Sequence, residues 1–169
     1  MSPAAATHAD GFIALDACHH KTVSMLHDLS DLLLDLEWKG SSPRMRRRAA
    51  TIAEFFSTTV REHHEDEERH VFPRLVDGSP KLVRVVLRLQ EEHDLLEEAW
   101  LDIAPHVAAI AAGSPLYDVA ALHDGVWALV AKYQDHIQLE EGILFPAAKA
   151  RMSMAARRTM GRLMARTLA

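Results

Sequence analysis

Cysteine is nearly absent from this chain, with one residue, Cys18, among 169. A lone cysteine cannot form an internal disulfide, so no disulfide framework is predicted and a reducing cytoplasm is the expected compartment. Long apolar runs are also missing. A membrane helix needs about 20 largely apolar residues, and because no stretch approaches this length we expect no membrane span. The opening MSPAAATHAD has neither a basic start nor an apolar centre and does not resemble a signal peptide.

An excess of positive charge is missing as well. There are 19 Lys and Arg against 24 Asp and Glu, a net charge of −5, which argues against nucleic acid or an anionic membrane surface as a partner. No segment alternates apolar and polar residues as a half-buried strand does, and the Gly and Pro residues are concentrated at a few breaks. The fold class predicted is therefore all-α.

Histidine, by contrast, is abundant, with 11 residues. Two of these histidines open copies of one motif, REHHEDEERHVFP at Arg61–Pro73 and DHIQLEEGILFP at Asp135–Pro146. Both read His, three residues, Glu-Glu, three residues, Phe-Pro, and their five shared positions are related by one offset of 73 residues. Matching in register at five positions indicates an internal duplication.

Each motif places a metal-ligating pair on one helix face. Residues four apart on a helix are neighbours, so His63 lies beside Glu67 and His136 beside Glu140. Imidazole with carboxylate suits iron, manganese or zinc better than calcium or copper(I). The alternative is a solvated charge run. The second copy argues against it, because its pair is surrounded by the apolar side chains of Ile137, Leu139, Ile143 and Leu144.

Helical periodicity and breaks predict four long helices. The first runs from Asp10 or Gly11 to Lys39, with Gly40 as terminator, and the second from Ser42-Pro43 to Phe72-Pro73. The third runs from Ser79-Pro80 to the break at Gly113, with a kink or early end at Pro105. The fourth runs through the second motif to Phe145-Pro146. Short connections imply an up-down-up-down four-helix bundle over residues 10–150. Residues 1–9 are expected to form a frayed tail, and 151–169 a short amphipathic C-terminal fifth helix.

One histidine lies on the apolar stripe of each helix, and His63, His93 and His136 hold this place in the second to fourth. In the first helix the duplication favours His20, which is 73 residues before His93, whereas helical facing favours His19. We choose His19, because a buried ligand must face the core. The other candidates are treated as surface or supporting residues: His27, His64, His70, His106 and His123.

Two glutamates buried without a cation would cost several kcal/mol each, so four core histidines joined by two glutamates indicate a metal pair. This arrangement resembles the hemerythrin-like (HHE cation-binding) family over roughly residues 10 to 150. The resemblance implies a four-helix bundle holding two non-haem irons beside an oxo or hydroxo bridge. It assigns His19 and His63 to one iron, His93 and His136 to the other, and Glu67 and Glu140 to both.

The chain departs from the oxygen-carrying hemerythrins at two positions. Glu97 stands where they have a second third-helix histidine, and Glu140 follows the last histidine at four residues where they have an aspartate at five. The four-His, two-Glu set is similar instead to di-iron proteins of nitrosative stress and iron–sulfur repair, which usually carry a cysteine-bearing N-terminal segment that this sequence lacks.

The predicted function is a non-haem di-iron protein that binds O2, NO or H2O2 for sensing, storage or stress response. The alternatives are a redox enzyme that reduces peroxide or nitric oxide, and a zinc-stapled structural bundle. No electron donor is identified by the sequence. Tyr133, one turn before His136, is either a hydrogen-bond donor to the bound ligand or a core aromatic, and Glu97 either orients His93 or is an exposed acid.

Overall fold

The computed structural model describes residues 10–39 and 42–167, which places the predicted tail and the terminator Gly40 outside the described residues. The described part is helical and contains no strand. Helix α1 is Gly11–Lys39 and helix α3 is Pro80–Ala112. Helix α2 runs through Pro43–Glu54, Phe55–Thr59 and Val60–His70. Helix α4 runs through Val119–Leu139, Glu140–Leu144 and Phe145–Lys149, and helix α5 is Met154–Thr167.

Local capping explains where the helices begin. The Ser42 hydroxyl accepts a hydrogen bond from the Met45 N–H at 3.2 Å, and Ser79 caps α3 in the same way, each followed by a proline in the first turn. Both predicted starts are confirmed. Gly113 ends α3 at a φ of +71°, a left-handed conformation that glycine adopts without strain.

Two helices contain a π turn, at Phe55–Thr59 in α2 and at Glu140–Leu144 in α4. The prediction that α4 ends at Phe145-Pro146 is wrong, since the helix continues to Lys149. Pro146 has no N–H to donate, and its ring would crowd the carbonyl one α-helical turn earlier. The wider turn immediately before it provides the room. An early end at Pro105 is also wrong, because α3 continues to Ala112.

The four long helices form the predicted up-down-up-down bundle, in which α1 and α3 each contact both α2 and α4. Helix α5 lies against α1, as predicted for the short C-terminal helix. None of the helices described is long and apolar enough to cross a membrane.

Two apolar clusters fill the bundle. One contains Leu29, Ile52 and Leu129, and the other contains Phe12 and Phe145 among its largest side chains. Along every long helix the predicted histidine lies between residues of the first cluster and residues of the second. The four histidines therefore occupy one polar layer between two layers of packed hydrocarbon, where water is excluded.

Candidate metal centre

The structure brings all six predicted side chains together in this layer. The two glutamates have no exposed surface and the histidines are between 1% and 7% exposed. Their ligand atoms form two groups that share both glutamates, with all atoms of a group within 4.8 Å of one another: His19, His63, Glu67 and Glu140, and then Glu67, His93, His136 and Glu140. Each group could hold one cation.

Glu67 directs one oxygen at each group. Its Oε1 lies 3.3 Å from His63 Nε2 and 3.8 Å from His19 Nε2. Its Oε2 lies 3.6 Å from Nε2 of His93. Two ligands that each lie about 2.1 Å from one cation, at right angles, are about 3 Å apart. The Glu67 contacts are slightly longer than this spacing, so small side-chain movements would complete both groups.

Glu140 has the matching arrangement from α4. Its Oε2 lies 3.1 Å from His19 Nε2, whereas its Oε1 lies 3.3 Å from His136 Nε2 and 3.7 Å from His93 Nε2. The two carboxylates are therefore both placed to bridge a pair of cations. Each group thus offers two imidazole nitrogens and two carboxylate oxygens to a cation.

The chemistry of the donor atoms supports this interpretation. Seven buried atoms of the layer have no hydrogen-bond partner within the described part of the chain: Nε2 of His19, His93 and His136 and both carboxylate oxygens of Glu67 and Glu140. Buried polar atoms are nearly always hydrogen-bonded, because an unsatisfied one costs about 1–3 kcal/mol. Here the unsatisfied atoms face one another, and cations between them would satisfy all seven.

The second glutamate of each motif orients a histidine on a neighbouring helix. Glu68 Oε1 lies 2.7 Å from Nδ1 of His93, and Glu141 Oε1 lies 2.9 Å from Nδ1 of His19. When Nδ1–H donates a hydrogen bond to the carboxylate, the Nε2 lone pair is left free to face the centre. Sequence reasoning missed both residues, although the repeated Glu-Glu pair was a signal that both positions are used.

His136 has a comparable partner on α3, since its Nδ1 lies 3.1 Å from Oε2 of Glu92. His20 does not belong to the layer. It is exposed, and its Nδ1 lies 2.8 Å from the carbonyl oxygen of Asp16 in the preceding turn. Facing on the helix, rather than the 73-residue offset, decides which of the two adjacent histidines enters the bundle.

The pKa values of the two buried glutamates are shifted in opposite directions. Burial, together with the negative charge of Glu140, raises the pKa of Glu67 well above its usual range. Burial acts in the same direction on Glu140, but the imidazoles of His136, His19 and His93 outweigh it and hold its pKa well below the usual range. Glu140 is therefore the more readily ionised of the two carboxyls.

The histidines also differ. Burial lowers the pKa of His63 to about 3. Burial has the same effect on His136, but the carboxylates of Glu140 and Glu92 more than offset it and raise its pKa to about 9. The neighbouring carboxylates thus favour the protonated form of the His136 imidazole.

His64, expected to be a surface or supporting residue, is buried against the centre. Its ring stacks on the ring of His93 with 4.0 Å between centroids and 6° between planes, and it meets the His136 ring edge-on. Tyr133 is buried nearby, whereas Glu97 is exposed. Helical facing alone could not place His64, because its contacts with His93 and His136 depend on how α2 packs against α3 and α4.

Comparison with known proteins agrees with the geometry. A family model described as the hemerythrin HHE cation binding domain matches residues 10–148. An uncharacterized protein of Haemophilus influenzae is 33% identical over 86 residues, which is 51% of this chain and 50% of that protein. The chain thus spans about half the length of this curated relative. Because the family model covers four helices and all six side chains of the layer, the chain belongs to the hemerythrin HHE cation-binding domain family.

Proposed function

We propose that this protein holds two non-haem iron ions in the polar layer and binds a small diatomic or peroxide ligand, O2, NO or H2O2, for sensing, storage or stress response. One observation carries the proposal: both oxygens of each buried glutamate are directed at different histidine groups and have no hydrogen-bond partner in the described chain. A mixed set of imidazole and carboxylate donors suits iron. With a single cysteine, a reducing cytoplasm is the compartment we propose.

His19 and His63 would hold one iron, His93 and His136 the other, and Glu67 and Glu140 would bridge them. Two irons so held would keep open positions for a small ligand and supply electrons to it.

The chain itself provides three further functions at this site. Glu68, Glu141 and Glu92 fix the orientation of three imidazoles. The two apolar clusters exclude water from both ends of the layer. Tyr133 keeps its proton, because burial raises the pKa of its hydroxyl, and so remains a hydrogen-bond donor.

Metal content tests the proposal directly. Protein purified with ferrous iron supplied should contain two irons per chain by elemental analysis. His19→Ala should lose iron, whereas the adjacent, exposed His20 provides a matched control, and His20→Ala should retain both. One zinc per chain would instead support the structural bundle. Equal iron in His19→Ala and His20→Ala would reject the assigned ligand set.

Ligand binding is tested separately from turnover. Absorption spectra of the iron-loaded protein with O2, NO and H2O2 should show a stable adduct with at least one of them, reversible on removal of the ligand. Rapid consumption of peroxide or nitric oxide with added reductant, and no stable adduct, would replace the binding function by the redox enzyme.

A further inference from the structure

A pocket of about 150 Å³ lies between α2 and α3, on the outer side of the polar layer. Its walls include Phe56 from α2 and Leu96 and Trp100 from α3, and Tyr133 reaches it from α4. The π turn at Phe55–Thr59 forms part of the α2 wall. Single π turns inside α-helices are frequent at functional sites, so this wall is a candidate ligand-binding surface.

The exposed charged side chains of Arg61 and Glu97 also line the pocket, and its remaining walls suit an apolar molecule of modest size. The ring centroids of Phe56 and Trp100 lie 5.1 Å apart. Leu101, which is 60% exposed, adds apolar surface at the rim. An engineered cavity of similar volume in another protein, lined by apolar side chains, binds benzene. The pocket can therefore contain a benzene-sized body.

Two polar side chains in the pocket lack partners. Tyr133 is 3% exposed and His64 is 9% exposed, and neither side chain makes a hydrogen bond within the described residues. Ser57 on the same wall differs, because its hydroxyl accepts a hydrogen bond from Trp100 Nε1 at 3.1 Å. Both side chains line the pocket without using their polar atoms in a hydrogen bond, so they are available to a polar group that enters it.

The same two residues connect the pocket to the centre. Tyr133 and His64 also line a small interior space together with His19, His63 and His136, and that space is too small for a water molecule. The His64 ring stacks on His93. A polar group held by Tyr133 and His64 would therefore contact two residues that themselves lie against the histidines of the centre.

We propose that this pocket binds a small organic molecule that has one hydroxyl or hydroperoxyl group on an apolar body. The polar group would contact Tyr133 and His64, and the body would lie on Phe56, Leu96, Trp100 and Leu101. Binding needs no metal, whereas presentation of a hydroperoxide to the centre rests on the proposed function. An organic hydroperoxide would thus be a further substrate class beside the three small ligands proposed above.

The Trp100 indole N–H donates a hydrogen bond to Ser57 at the pocket wall, so its NMR chemical shift is sensitive to a ligand in the pocket. Benzyl alcohol titrated into metal-free and zinc-loaded protein should shift this resonance to saturation and leave that of Trp127 unchanged. Trp127 is 53% exposed and lies outside the pocket. No saturable shift of the Trp100 signal would overturn the inference.

A matched pair of substitutions tests the location. Leu101 and Leu87 lie on α3 and are both 60% exposed, but only Leu101 lines the pocket. Leu101→Trp should fill the space and abolish the shift, whereas Leu87→Trp should leave the affinity unchanged. Equal affinities for the two variants would overturn the location.

The polar contacts are tested by Tyr133→Phe and His64→Leu. Each should weaken binding of benzyl alcohol by about three- to tenfold, and should leave toluene binding nearly unchanged, since one hydrogen bond is removed. Unchanged affinity for benzyl alcohol in both variants would overturn the assigned class of ligand.

With iron-loaded protein and an added two-electron reductant, tert-butyl hydroperoxide is reduced to the alcohol and water. The rate of this reduction relative to that of hydrogen peroxide should fall in Leu101→Trp and not in Leu87→Trp. An equal ratio in both variants would contradict presentation of the hydroperoxide. Failure of the wild-type protein to hold iron would remove the proposed function, and the NMR titration would still decide whether the pocket binds.

Discussion

Glu68 on α2 and His93 on α3 form the closest carboxylate–imidazole contact found among the described side chains of the centre, 2.7 Å between Oε1 and Nδ1. The equivalent glutamate of the second motif, Glu141, makes the same kind of contact with His19. Each motif therefore serves two helices: its histidine and first glutamate enter the layer, and its second glutamate aligns a histidine from the helix beside it.

Removal of either aligning carboxylate should weaken metal binding. We expect Glu68→Ala and Glu141→Ala to lower iron affinity by about 10- to 100-fold, because the imidazole loses the partner that fixes its tautomer and orientation. Glu→Gln should have a smaller effect at both positions, since the amide oxygen still accepts a hydrogen bond from the imidazole Nδ1–H. Competition with a chelator measures the affinity, and Glu65→Ala, on the exposed face of α2, is the control. An equal effect of Glu65→Ala would contradict the role.

Metal affinity should rise with pH up to about pH 9. The pKa of His136 is raised to about 9 in the metal-free protein, so at pH 7 its proton must leave before the nitrogen can bind a cation. This one group contributes about a tenfold gain per pH unit below its pKa and none above it. Metal titrations in weak buffer should also release protons. Affinity that stays constant from pH 6 to 8 would show that His136 carries no proton to displace.

Glu67→Gln should have opposite effects on the metal-free and metal-loaded protein. The folded-state pKa of Glu67 is raised, so its contribution to stability is complete below the unfolded-state value and is lost as pH rises through the folded value. The neutral amide avoids that loss, and the melting temperature of the metal-free variant should exceed that of the wild type increasingly from pH 5 to 8. With iron the order should reverse, because a bridging ligand is missing. A metal-free variant less stable than wild type at pH 8 would contradict the argument.

Gly125 and Gly142 of α4 form a matched pair for packing. A methyl group on Gly125 would lie 2.3 Å from Ile103 Cγ2, whereas one on Gly142 would meet no atom within 4 Å. Gly125→Ala should therefore destabilise the protein by about 1–3 kcal/mol through overpacking. Gly142→Ala should be neutral or stabilising by up to about 1 kcal/mol, as expected for alanine in a helix. Chemical denaturation of both variants measures the difference, and equal stabilities would show that α3 and α4 can move apart.

The bundle itself could be predicted from the sequence, because its signals are local. Ser42-Pro43 and Ser79-Pro80 are capping pairs whose meaning does not depend on the rest of the fold. The six clustered side chains could likewise be predicted from the sequence, since each is the polar residue on an apolar helical stripe. The choice of His19 over His20 followed from facing alone.

The partners of the histidines could not be predicted in the same way. Glu92 reaches His136, and His64 stacks on His93, across helix interfaces whose relative rotation and depth are set by packing. Periodicity within one helix carries no information on that rotation. The continuation of α4 through Pro146 also depends on a π turn, which leaves no distinct pattern in the residues that form it.

The π turn at Phe55–Thr59 also bears on the mismatch between the two halves of the duplication. His19 precedes His63 by 44 residues, whereas His93 precedes His136 by 43. A π turn accommodates one residue more than an α turn of similar length, so this segment can absorb the surplus and leave the rest of α2 undisturbed. Each residue advances an α-helix by about 100°, and an unabsorbed insertion would swing His63 and Glu67 out of the layer. The π turn can thus keep the helical phase of the His63 end of α2 despite a one-residue difference in length between the two halves.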